Sequence, residues 1–153
     1  MSVESIIKKI DVRAQYKAYG LGDLPLTDSE LNAQLANHIN TAIMALVQGT
    51  DVDGAELNVK VVSGNVVVSL KVKGNSVNGI EALSAAVDEY LENEVAYLWW
   101  VENEPRYADN TMRELLKGVV KQRVAAFVED TIPPKRNMKA KEVCVVKVEF
   151  DYE

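Results

Sequence analysis

Two residue types that most often carry chemistry occur once each in this chain of 153 residues, His38 and Cys144. The imidazole of His38 has a pKa suited to proton transfer near neutrality. It sits one position off an apolar helical stripe, and no nucleophile or orienting acid stands near it in sequence, so a core-edge or surface role is expected. Cys144 lies between Val143 and Val145. A reactive thiolate needs an electropositive, partly open setting, whereas a thiol in a valine-rich strand behaves as a small hydrophobe. One Cys and one His exclude a Cys/His zinc site within a single chain, and one cysteine forms no internal disulfide, which suits a reducing compartment.

The acids are more numerous but no better arranged. Asp51, Val52, Asp53, Gly54 and Glu56 resemble part of a calcium loop, yet its twelfth position falls on Val62 or Gly64 instead of a carboxylate. A turn that uses Asp and Gly for backbone freedom accounts for them. Asp88 and Glu92 share a helix face and offer oxygen ligands, although a solvated face explains them as well. No phosphate loop, dinucleotide loop or nucleophile elbow is present, so no cofactor is expected. A carboxylate enzyme using Mg²⁺ remains the one enzymatic reading.

These residues must be positioned by elements that the periodicity makes visible. Val3, Ile6, Ile7, Ile10 and Ala14 set a helix over 3–19, stopped by Gly20 and Gly22, and 1–22 reads as an amphipathic piece able to dock. Thr27 and Glu30 form a capping box ahead of the stripe Leu31, Leu35, Ile39, Ala42, Ile43 and Leu46. The period then drops to 2. Leu57, Val59 and Val61 face Val72, Leu70 and Val68 across a hairpin if Gly64 and Asn65 form its loop. Helices are expected over 79–102 and 110–129, broken by Pro105 and ended by Pro133 and Pro134. A strand over 143–152 follows, with Val146, Val148, Phe150 and Tyr152 alternating with Lys147, Glu149 and Asp151. The order α-α-β-β-α-α-β over 1–153 implies one α+β domain. Its last strand would complete a small three-stranded, mainly antiparallel sheet beside the second strand, packed on the two later helices.

Charge is distributed unevenly. Residues 75–105 hold seven acids and no Lys or Arg, and residues 106–141 hold nine bases against four acids. Neighbouring antiparallel helices of opposite sign attract one another, and the same separation could present an acidic face and a basic loop to partners. Hydrophobic residues are 48% of the chain and charged ones 26%, with a net charge of -6, which excludes a disordered chain. No apolar run approaches the ~20 residues of a membrane span, and the first residues lack a signal-peptide core. An intracellular protein is therefore expected.

Two groups of residues look like surface that wants a partner. Adjacent Trp99 and Trp100 point about 100° apart on a helix, so one narrow stripe cannot take both and one indole is expected at a rim with Tyr107. Val62, Val67 and Val145 fall on the sheet face opposite the main apolar set. The leading expectation is a non-enzymatic assembly or adaptor protein, of the kind found in intracellular complexes or virus particles. It would self-associate or bind a protein partner through these residues. The alternative is nucleic-acid binding through Lys135, Arg136, Lys139 and Lys141, helped by Arg113, Lys117, Lys121 and the sheet lysines.

Overall fold

The computed structural model describes residues 1–131; the expected strand over 143–152 and the basic loop over 135–141 lie outside them. The described chain is α+β, with helices α1 (Val3–Ile10), α2 (Val12–Ala18) and α3 (Asp28–Gly49), then strands β1 (Ala55–Val62), β2 (Asn65–Val72) and β3 (Asn75–Ser76). Helix α4 (Glu81–Asn103), a 3₁₀ turn (Pro105–Tyr107) and α5 (Arg113–Thr131) follow. The sheet is antiparallel throughout, in the order β1-β2-β3.

The first helix is two helices. Asp11 takes the left-handed conformation (φ 49°, ψ 50°), which ends α1 and starts α2 in a new direction. Neither half hangs free as an appendage. Ile6, Ile10 and Val12 are buried in the same core as the α3 stripe. At α3 the capping box forms as expected. The Glu30 N–H donates to Thr27 Oγ1 at 3.1 Å, and the Thr27 N–H donates to Glu30 Oε1 at 2.8 Å. All six expected stripe residues of α3 are buried. The later helices start two or three residues after the positions expected for them, and no side chain caps α4.

The hairpin is present, but its register differs by two from the expected one. Leu57 faces Leu70, Val59 faces Val68 and Val61 faces Val66. The loop is Ser63 and Gly64, both at positive φ (52° and 77°), as a type I′ turn requires. Glu56 consequently faces Lys71. Because side chains alternate with period 2, a shift of two leaves every residue on its expected face. A second turn of the same kind, Lys73 and Gly74 (φ 53° and 82°), folds β3 back onto β2.

That second turn changes the sheet's third member. β3 pairs with one end of β2, and the Val77 N–H donates to the Leu70 carbonyl at 2.9 Å. At the other end the Val66 N–H donates to the Met1 carbonyl at 2.8 Å, and the Val3 N–H donates to that of Gly64 at 2.9 Å. The place beside β2 expected for the final strand is therefore taken at one end by β3 and at the other by residues 1–3 of the chain's start. β1 is the edge strand at the other side.

Among the described residues, helices cover one face of the sheet only. Leu57, Val59, Val66, Leu70 and Val72 are buried under α3 and α5, which both pack on the strands. On the opposite face Glu56, Asn58, Lys60, Val62, Asn65, Val67, Ser69 and Lys71 are all exposed. The helical layer is organised around α4, which touches α1, α3 and α5.

Candidate interaction surface

The two tryptophans are both interior. Trp99 is fully buried, and Trp100 keeps only 3% of its surface. Their indole N–H groups find acceptors across the fold: Trp99 Nε1 donates to Gln34 Oε1 at 2.9 Å, and Trp100 Nε1 to Gln15 Oε1 at 3.1 Å. A buried indole needs such a partner, because an unmade hydrogen bond costs about 1–3 kcal/mol. Tyr16 stacks on Trp100 (6.2 Å between centroids) and meets Trp99 edge-on (6.4 Å). The left-handed Asp11 that separates α2 from α1 also sets the direction of the helix that brings Gln15 and Tyr16 over Trp100. The expected rim indole is thus corrected: α2 supplies the cover that α4 alone lacks. Tyr107 is half-buried and lies flat against the exposed Tyr19, with centroids 4.3 Å apart.

The charge asymmetry between the later helices is resolved partly inside the molecule. Arg113 Nε and Nη2 donate to Glu94 Oε1 and Oε2 at 2.8 and 2.9 Å, while Glu94 is 3% exposed. The guanidinium also stands 3.8 Å from the Tyr97 ring centroid, and bonding to Glu94 raises its pKa further above the usual arginine range. Arg113 is therefore committed to α4 and is removed from the set of phosphate-binding candidates. Lys117 pairs with Glu114 at 3.6 Å.

His38 has a structural partner that sequence did not show: its Nε2 lies 2.8 Å from Glu102 Oε1, joining α3 to α4. Asp88 and Glu92 do not act as a pair. Glu92 meets Lys9 at 3.4 Å, and burial raises the Asp88 pKa against the opposing pull of the chain's amino terminus and Lys9. Gly54 (φ 84°) accepts from the Lys73 N–H at 2.8 Å, so the segment over 51–54 is a turn fastened to the sheet. Among the described residues no group of three or more His, Cys, Asp or Glu converges as a metal site, and no helix is long and apolar enough to cross a membrane.

Part of the exposed apolar surface lies on and beside the sheet. Val62 (46% exposed) and Val67 (40%) are diagonal neighbours on the outer face, next to Lys60, Asn65 and Ser69, with the Glu56 and Lys71 pair farther along the strands. Their expected companion Val145, like Lys135, Arg136, Lys139 and Lys141, lies outside the described residues. A second apolar area was missed by sequence reasoning. It is a groove of about 420 Å³ between the free edge of β1 (Glu56, Leu57, Asn58, Val59) and α3 (Ile43, Met44, Val47, Gln48), with Met44 62% exposed. The available signal was the width of the α3 stripe, since Met44 and Val47 adjoin it without belonging to it. Comparisons with protein-family models, curated proteins and solved structures find no match.

Proposed function

We propose that this chain is a non-enzymatic assembly protein that joins a second copy of itself through the outer face of its sheet. The observation that carries this reading is the pair Val62 and Val67, exposed side by side on a face that no described element covers. Water gains by leaving such a surface, at roughly 25 cal/mol per Å² of apolar area. The charged residues of the same face suit a two-fold contact. In an isologous interface residue i of one copy meets j of the other and the reverse, so Glu56 opposite Lys60 or Lys71 satisfies both copies at once. Sedimentation equilibrium of the chain and of Val62→Lys/Val67→Lys tests the proposal. Self-association that strengthens with loading supports it when the double variant abolishes the effect without changing the fold; a chain that stays at the single-chain mass at every loading overturns it.

A second reading uses the same face. Lys60 and Lys71 are exposed there, with Lys73 exposed in the turn after β2, and clustered cations bind nucleic-acid phosphates with an affinity that falls steeply as salt rises. A binding titration against salt, with single-stranded and duplex oligonucleotides, decides it: flat or absent binding removes this reading.

A further inference from the structure

Among the described residues no strand pairs with the edge of β1 away from β2, and that edge has a defined hydrogen-bonding state. Because the Val66 N–H points away from β1 to the Met1 carbonyl, alternation directs the even-numbered residues of β1 toward β2. The N–H and C=O groups of Leu57, Val59 and Val61 are left facing outward. Beside them α3 presents exposed Met44 and Val47, and Val61 itself is exposed. An open edge next to uncovered apolar side chains is a template for one more strand.

We propose that residues 143–152 of the same chain pair with this edge, parallel to β1, with Lys147 beside Glu56 and Asp151 beside Lys60. In that register Val148, Phe150 and Tyr152 join Leu57, Val59 and Val61 on the inner face and cover the groove along Met44 and Val47. Glu149 then stands beside Asn58, and both charged pairs are of opposite sign. The antiparallel register centred on the same residues sets Asp151 beside Glu56 and Lys147 beside Lys60, so both pairs repel.

The connection is long enough. Eleven residues, 132–142, separate the end of α5 from the segment, and extended they reach about 36–40 Å. β1, with 8 residues, spans only about 26 Å, and α5 already packs on β1 and β2, so either end of the edge can be reached. A tethered strand also sees the edge at an effective concentration of order millimolar, which a second copy does not match in dilute solution.

Two cysteine pairs test this in a Cys144→Ser background of the full chain: Glu56→Cys with Lys147→Cys, and Lys60→Cys with Asp151→Cys. Each keeps one charged pair intact. With a short bis-maleimide, both should close within one chain, about ten-fold faster than the crossed pair Glu56→Cys with Asp151→Cys. Faster closure of the crossed pair overturns the orientation. Links only between chains, or none, overturn the proposal. Hydrogen exchange on the unaltered chain gives a reading free of substitutions. The amides of Leu57, Val59 and Val61 should exchange about a hundred-fold or more slower than an open edge allows; exchange at the open-edge rate contradicts the pairing. Neither result depends on self-association through the outer face.

Discussion

Glu94 and Arg113 close a two-pronged ion pair between α4 and α5, at 2.8 and 2.9 Å, with the carboxylate almost wholly out of water. Removing one member of such a pair leaves an uncompensated buried charge and costs about 3–5 kcal/mol. Arg113→Met should therefore destabilise the chain by about that much. Glu94→Gln with Arg113→Met should recover most of the loss, because an ion pair replaced as a unit is often nearly neutral. Urea denaturation of the single and double variants measures this. Equal loss in both would show that packing, not charge, holds the two helices together.

Trp100 is predicted to behave as a core residue. Trp100→Ala should cost about 3–5 kcal/mol, and Trp100→Phe, which keeps a ring beside Tyr16 but loses the bond to Gln15, about 1 kcal/mol. Thermal denaturation gives both values. A loss of self-association without loss of stability would instead make the indole a contact residue.

The hairpin register predicts which turn substitutions help. Ser63 and Lys73 both hold positive φ, where most L residues pay about 1–2 kcal/mol and Asn pays less. Ser63→Asn and Lys73→Asn should each raise stability by up to about 1 kcal/mol, read from urea midpoints. If the loop were Gly64 and Asn65, Ser63→Asn would do nothing.

Asp88 gives a pH dependence of known sign. Burial raises its pKa in the folded state above the unfolded value, so its contribution to stability is greatest below the unfolded pKa. It is lost as pH rises through the folded one. Asp88→Asn should therefore melt higher than the parent chain at pH 7, with the gap closing toward acid pH. A gap that widens in acid would mean that attraction to Lys9 outweighs burial.

Legibility of the fold in the sequence followed how local each determinant is. The α3 capping box and stripe depend on neighbours three or four residues away, and both were readable. The hairpin faces were readable too, although Gly64 can serve as either loop residue and the two choices differ by a shift that parity hides. The left-handed Asp11 interrupts an otherwise unbroken helical period and carries no local mark. The burial of Trp99 and Trp100 depends on Gln34 and Gln15, 65 and 85 residues away in sequence, and so does the contact between His38 and Glu102 depend on distant residues. Of the expected interaction residues, Val62 and Val67 are surface because alternation alone assigns their face. The groove beside β1 was legible only as the extra width that Met44 and Val47 give the α3 stripe, because it takes shape when α3 packs along β1, and that contact is not local in sequence.

The outer face of the sheet can be tested by the mass of the chain in solution across a wide range of concentrations. Sedimentation equilibrium should give a weight-average mass that climbs above the 16.9 kDa chain mass as loading increases, and Val62→Lys/Val67→Lys should hold at the single-chain value with an unchanged circular dichroism spectrum. A parent chain that stays at the single-chain mass over the whole range would contradict self-association through this face.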